Sequence, residues 1–586
     1  MKPLLRLIPY LKRYRRTLIL GLLTVVASNL FTVAQPLLIG EAIDELKLGL
    51  ENRSLGSTDV ILYAGLVVGL SLIAGVFTFL TRQTIIVASR HVDYDLRNDF
   101  LAHLQRLPLS FFQNTPTGDL MAHATNDIGA VRNALGPGIM YPTDTLMTFI
   151  LVLGVMLTKD WSLTLLALIP LPFVSFAVYH LGKMIHKKFE ERQEQYSALT
   201  TRAQENLSGI RVVKAYVREA YESARFRDLS TEYMRKNLVL ARVQSIMWPL
   251  MFLLVGFSLI IVLYAGGVRV IEDRLTIGEL TAFFGYLVML IWPMIAFGWV
   301  INILQQGAAS MGRLGKILDT VPEIRDDPAG VDHPAKITGT IEFRGVGFTH
   351  RGAQRPSLRD LSFTVPAGAT VAIVGYTGSG KSTLVNLIPR LYDVTEGAVL
   401  VDGRDVRTIP LQSLRAQIGM VPQETFLFSD ELGENIRYGA EDASEERIAA
   451  AAEVAQLTRD IAEFPAGVAT ILGERGITLS GGQKQRASIA RAVVRQPRIL
   501  ILDDALSAVD TYTEEEILRR LRGVMKGCTS ILISHRISTV KDADQILVLN
   551  EGRIAERGTH DELVARGGIY AELHRKQLLE EEIEHL

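Results

Sequence analysis

The sequence predicts an all-α membrane domain of six helices fused to an α/β domain that carries a phosphate-binding loop. Three observations lead there. Six long stretches with almost no charge crowd the part of the chain before Gly312. Beyond it, short apolar strands alternate with helical segments, the pattern of a mostly parallel sheet covered on both faces. One of those strands runs straight into a glycine-rich loop that ends Lys381-Ser382-Thr383.

Composition agrees with this division and excludes several alternatives. Lys+Arg number 62 and Asp+Glu 63, a formal charge of −1. That balance lacks the concentrated positive face of a nucleic-acid binder, so no nucleic-acid partner is expected. Hydrophobic residues make up 48% and charged residues 21%, with a mean hydropathy of +0.21, which calls for membrane segments. The single cysteine, Cys528, excludes an intrachain disulfide and a cysteine-rich zinc site.

The apolar stretches come in order. Leu18–Gly40, Val60–Thr81, Trp161–Gly182, Val243–Val268 and Leu280–Gly312 carry no acid, lysine or arginine, and Asn133–Thr158 carries only Asp144. About 20 apolar residues cross the ~30 Å hydrocarbon layer as a helix. Six spans are therefore expected, at about 18–40, 60–81, 133–158, 161–182, 243–268 and 277–303, within a membrane domain of residues 1–318. No cleavable leader is expected, because Leu18–Gly40 is too long for one and lacks a small-residue cleavage site.

Basic residues set the expected orientation. They crowd the N-terminus (Lys2 to Arg16) and the segments between spans two and three and between spans four and five, whereas the alternate loops are short and poor in base. By the positive-inside rule the N-terminus, both long segments and everything after Gly312 face the cytoplasm of an inner (plasma) membrane protein. The long segments are rich in helix formers and read as membrane helices continued into water, with turns near Thr115–Gly118 and Ser208–Gly209. Plain amphipathic surface helices are the alternative. A polar linker at 319–338, with Pro322, Pro328 and Pro334, then leads into an α/β domain at 339–586. Its expected strands are Thr370–Val374, Arg498–Leu502, Thr529–Ser534 and Gln545–Leu549.

The chemistry is concentrated in that second domain. Gly375-Tyr376-Thr377-Gly378-Ser379-Gly380-Lys381-Ser382-Thr383 fits the G-x-x-x-x-G-K-[S/T] pattern. Glycines let successive N–H groups turn inward on a phosphate, and the next helix adds the positive end of its dipole. Lys381 would neutralise β/γ-phosphate charge and Ser382 would ligate Mg²⁺. Asp503, closing the apolar strand Ile499–Leu502, would hold the Mg²⁺ shell. Ser480, Gly481, Gly482 and Gln483 offer a second helix N-terminus with exposed N–H groups.

Taken with Val421-Pro422-Gln423, Ser507–Asp510 and Ser534-His535, these elements resemble the Walker A, Q-loop, signature, Walker B, D-loop and switch-histidine motifs of an ABC nucleotide-binding domain. Behind six spans, the whole chain resembles a half-size bacterial ABC exporter of the multidrug or lipid type. Leu107–Asp119 and Glu205–Tyr216 are similar to that family's coupling-helix regions. The resemblance implies ATP and Mg²⁺ as ligands and ATP-driven export of an amphipathic compound. It also implies two such domains packed head to tail, so that Ser480–Gln483 serves the partner's ATP. Gln423 would reach Mg²⁺, and His535 would contact the γ-phosphate.

Two positions depart from the family pattern. Members that hydrolyse well place Glu after the Walker B Asp, where this chain has Asp504. Its carboxylate is drawn back by about 1.5 Å, and a ~1 Å misplacement can cost on the order of 10²-fold. A slow site with an intact signature resembles the degenerate-site subunit of a heterodimeric exporter, so the expected partner is a second, different half-transporter. A homodimeric lipid or drug flippase and an ATP-gated regulatory membrane protein are the alternatives. The second departure is His350, where the family usually has a Tyr that stacks on adenine; its smaller face is expected to weaken adenine binding unless a neighbour substitutes, and a shift of this loop by a residue or two is the alternative. For the substrate path, Asp144 is the one acid well inside a span and stands as a contact for cationic substrates or as a structural hydrogen-bond acceptor.

Overall fold

A computed structural model describes residues 2–51, 57–326 and 336–584. Pro328 and Pro334 of the expected linker lie outside the described residues. The chain divides into two compact units: Met1–Ala102 with Gly118–Asp319, and His103–Thr117 with Thr320–Leu586.

Among the described residues the first unit is helical, with six helices long and apolar enough to cross a membrane: Arg15–Leu50, Asp59–Leu104, Thr117–Lys159, Trp161–Ser208, Glu219–Ile271 and Ile277–Leu318. Most outrun the bilayer. Glu219–Ile271 has 53 residues, about 80 Å at ~1.5 Å per residue against a ~30 Å hydrocarbon layer. Its partner Leu171–Ser208 has 38 residues, and the short helix Ile210–Ala215 joins the two.

With no aqueous solvent to drive helices together inside lipid, close packing and hydrogen bonds hold the unit. The first and last spans show both. Gly40 and Gly278 meet backbone to backbone, and a Cβ built on Gly278 would lie 1.9 Å from the Gly40 carbonyl oxygen. The Gly278 N–H donates to Asp44 Oδ1 at 2.8 Å. Two turns further along, Tyr286, 1% exposed, donates its hydroxyl to the Val33 carbonyl at 2.9 Å. Arg269 pairs with Asp160 at 2.8 Å and ties the fifth span to the start of the fourth.

The second unit holds two sheets. Strands β1 (Ile341–Phe348), β2 (Leu358–Val365), β3 (Thr370–Val374), β4 (Glu396–Val401), β5 (Arg404–Asp405), β6 (Ile418–Val421), β7 (Ile499–Asp503), β8 (Thr529–Ile533), β9 (Gln545–Asn550) and β10 (Arg553–Gly558) follow in order. The main sheet runs β10-β9-β3-β8-β7-β6 and is parallel apart from β10. A separate antiparallel sheet, β2-β1-β4-β5, lies beside it. The sequence reading did not anticipate that second sheet, because β1 breaks register twice and its strands carry charge.

Strand β7 is buried on both faces. Ile499 and Ile501 pack into the core shared with the antiparallel sheet, and Leu500 and Leu502 into the core under the helices. Such a strand reads as a continuous apolar run, and only its last residue can present a charge at the sheet edge.

The Gly40–Gly278 crossing yields a prediction. Gly278→Leu should destabilise the membrane unit by about 1–3 kcal/mol through overpacking, read as a clear fall in the thermal unfolding midpoint in detergent. Gly154→Ala, whose Cβ meets nothing within 4 Å, should leave the midpoint within scatter.

Candidate functional site

The site begins at the carboxyl edge of the main sheet. Strands β3, β8 and β7 are neighbours and parallel, so the residues that follow them emerge side by side, where open α/β sheets bind ligands. After β3 comes the loop Gly375–Gly380 and the helix Lys381–Leu387. β7 ends in Asp503-Asp504, and Ser534-His535 follow β8. Gln423 follows β6, the strand paired with β7.

These residues surround a cavity of about 560 Å³ lined by Thr377, Gly378, Gly380, Lys381, Ser382 and Thr383 on one side. Gln423, Asp503, Asp504 and His535 line the other. An adjoining cavity of about 490 Å³ is lined by Gly375, Tyr376, Thr377 and His535 together with residues of the helix Ile569–Glu584. The loop needs its glycines. Gly375 sits at φ 150°, and a Cβ there would lie 2.2 Å from the Leu549 carbonyl oxygen. Gly380 sits at φ 101°, and a Cβ there would meet Ser357 O and Leu358 at 2.8 Å.

Lys381 is 7% exposed and donates to the carbonyl oxygens of Gly375 at 2.8 Å and Tyr376 at 2.9 Å. Burial pulls the ammonium below its ordinary pKa, and the charges of Asp503 and Asp504 pull it back up. Asp503, 3% exposed, is pushed up by burial; a hydrogen bond with Ser382 opposes that push. Asp504 reinforces it, and Lys381 and His535 act against it. The Ser379 hydroxyl is buried with no hydrogen-bond partner among the described residues.

A phosphorylated ligand with Mg²⁺ fits this arrangement. The orphaned Ser379 hydroxyl and the buried ammonium would meet phosphate oxygens, and Ser382 and Asp503 offer hard oxygen donors. Among the described residues no cluster of three or more His, Cys, Asp or Glu forms a dedicated metal cage. One carboxylate plus ligand phosphates is how Mg²⁺ is commonly held.

Asp504 has a fixed backbone. Its φ is 49°, unusual for a residue with a side chain. Its N–H donates to Ile533 O at 2.9 Å, and its carbonyl accepts from Ser507 Oγ at 3.0 Å. Gln485 completes the arrangement. It is 5% exposed, donates to Ser507 Oγ at 2.9 Å and accepts the Ala508 N–H at 2.9 Å. Sequence reasoning passed over Gln485 as part of a helical pattern, and its burial is visible only in the structure. Arg355, Arg359 and Glu551 also line the larger cavity and were not anticipated.

Other expected site residues lie elsewhere. Ser480, Gly481, Gly482 and Gln483 do not line this chain's cavity. They start the helix Gly481–Val493 in a capping box, with the Ser480 hydroxyl and the Gln483 side chain satisfying each other's N–H groups. The Gln483 amide donates to Asp460 at 2.8 Å. Ser480 and Gly481 are exposed, so the helix end stays open.

His350 also stands outside both cavities. Its ring is edge-on to Phe348, with centroids 4.8 Å apart, and to Tyr392 at 5.4 Å, while Nε2 approaches Thr383 Oγ1 at 3.4 Å. Burial lowers its pKa. Tyr392 in turn hydrogen-bonds Gln113, which belongs to the segment His103–Thr117 of this same unit. In the membrane unit, Asp144 accepts a hydrogen bond from Asn29 at 2.8 Å, and Thr148 donates to the Asn29 carbonyl oxygen.

Comparison with known proteins matches residues 18–294 to the ABC transporter transmembrane region and residues 358–507 to the ABC transporter family. The chain is 39% identical over 575 residues to the probable multidrug resistance ABC transporter ATP-binding/permease protein YheI of Bacillus subtilis, covering 97% of each. It is 39% identical over 489 residues to the ATP-dependent lipid A-core flippase of Syntrophus aciditrophicus, covering 83% of this chain and 81% of the relative. Among solved structures, a bacterial Atm1-family ABC exporter with ATP bound superimposes with a TM-score of 0.78 at 30% identity, covering 96% of this chain and 98% of that one. Six apolar helices, a phosphate loop at the edge of a parallel sheet and relatives of full length together establish that this chain belongs to the ABC transporter family, as a half-size exporter with fused membrane and ATP-binding domains.

Proposed function

We propose that the chain is one subunit of a heterodimeric exporter that moves an amphipathic compound out of the cytoplasm or the inner leaflet, with its own ATP site slow to hydrolyse. The observation that carries this reading is Asp504, with its main chain pinned at φ 49° and bonded to Ile533. A missing methylene cannot be recovered by sliding the backbone, so the carboxylate falls about 1.5 Å short of where a glutamate would steer the attacking water. ATP binding does not depend on that reach. Lys381 and the N–H groups of Gly378–Ser382 would bind the phosphates, and Ser382, Asp503 and Gln423 would hold Mg²⁺, which would supply neutralising charge at the phosphates.

The signature helix supports the other half of the proposal. Its open N-terminus at Ser480 and Gly481 is intact and stands ready for the ATP of a partner, which would supply the glutamate this chain lacks. The basic N-terminus and long loops favour an orientation with both termini and the ATP-binding domain in the cytoplasm. ATP binding would draw the two ATP-binding domains together, and hydrolysis at the competent site would reset them.

In the assembled transporter, Asp504→Glu should raise turnover at this chain's own ATP site by roughly 10- to 100-fold, measured in nanodiscs as phosphate release with the partner's site inactivated. In the assembled complex Asp504→Ala should change activity little; loss of nearly all activity would refute the slow-site reading. Lys381→Ala removes a charge-assisted contact of about 1.5–3 kcal/mol and should weaken ATP binding roughly 10- to 100-fold, measured by equilibrium binding of a labelled nucleotide.

A further inference from the structure

We propose that a cavity of about 590 Å³ among the fourth, fifth and sixth spans is a binding site for an amphipathic anion, a permanently charged acidic head on an apolar tail. This names the substrate class of the exporter proposed above and rests on that reading.

The cavity has a polar end and an apolar wall. Lys183 and His186 come from the fourth span, Asn302 and Gln305 from the sixth. Lys183 is the first charge after the apolar run that ends at Gly182, which sets it at the limit of the hydrocarbon. No Asp or Glu lines the cavity. His186 is already paired with Glu190 at 3.2 Å, whereas Lys183 has no ion-pair partner among the described residues. An ammonium with no ion pair, in a cavity that also holds two amides, suits an anion, and a cationic cargo finds no counter-charge there. The acid that might have offered one, Asp144, lies outside this cavity and is engaged by Asn29.

The apolar lining includes Trp248, Trp299, Met247 and Met251. Trp248 and Trp299 are 57% and 46% exposed, and Trp299 meets Tyr141 edge-on at 5.0 Å. Thioethers and indoles adapt to an alkyl or aryl tail without demanding one shape.

Two glycines supply a separate observation. Gly182 and Gly298 both line the cavity, and a Cβ built on either meets nothing within 4 Å. Neither is required by close helix packing, unlike Gly40 and Gly278. A glycine inside a helix is destabilising relative to alanine, and at these two positions its effect is to widen the cavity. Snorkelling of Lys183 to the interface explains a lone lysine; it does not explain two amides, two tryptophans and two unconstrained glycines on the same walls.

The test is tryptophan quenching by brominated amphiphiles in phosphatidylcholine nanodiscs, without nucleotide. Trp161→Phe with Trp292→Phe leaves Trp248 and Trp299 as the only indoles. The probes are dibromo-octadecyl sulfate and the trimethylammonium compound of identical tail. Saturable quenching by the sulfate, at least about tenfold tighter than by the ammonium, is expected. Lys183→Ala should abolish that preference, Lys183→Arg should keep it, and Gly298→Phe should weaken both probes by filling the cavity. Equal affinity for the two probes, an unchanged preference in Lys183→Ala, or unsaturable quenching that follows the mole fraction of probe would overturn the proposal. Because no ATP is used, this outcome is independent of ATP-driven accumulation in inverted vesicles, whose failure would instead remove the exporter reading.

Discussion

Lys381 and Asp503 are 7% and 3% exposed at the carboxyl edge of one parallel sheet, and charges withdrawn that far from water must be compensated. The compensation available within the chain is partial. Two backbone carbonyls accept from Lys381, Ser382 meets Asp503, and the Ser379 hydroxyl is left without a partner among the described residues. Phosphate oxygens and a divalent cation would complete this set. The rest of the domain serves to hold it: β3, β7 and β8 fix the spacing, and cores on both faces of the sheet leave the strand ends no freedom to drift.

The same rigidity makes the identity of residue 504 matter. In a pliant loop, a shorter acid could be carried forward by the main chain. Here the Asp504 N–H is bonded to β8 and its carbonyl to Ser507, with Gln485 bracing the turn from the signature helix. Gln485 thus links the surface proposed to face a partner's ATP with the turn that aims this chain's own acid. On this reading, binding and cleavage separate physically: the loop and Lys381 govern the first, and the reach of one side chain governs the second.

Much of this was legible in the sequence, for reasons that differ by element. The six spans were legible because lipid demands long apolar helices, and few other structures contain six such runs. Hydropathy marks only the part of each helix in contact with lipid, so the 53 residues of Glu219–Ile271 had to be inferred from helix formers on either side. The phosphate loop was legible because positive φ and close backbone approach admit little but glycine. The antiparallel sheet was not, since β1 is broken by register shifts and its charged residues blur the alternation. Single residues were left with alternatives. Asp144 accepts from Asn29, the structural contact that was one of its two readings, and His350 meets Phe348 two residues away and Tyr392 and Thr383 from farther along the chain.

The most direct test of the unequal-site account is a rapid-quench burst on the assembled transporter, loaded to saturation with terminally labelled ATP. The account predicts a fast burst of one phosphate per pair of sites, with the second ATP retained intact on the subunit that carries Asp504 through many turnovers. A burst of two, with both sites emptied at the same rate, would contradict it.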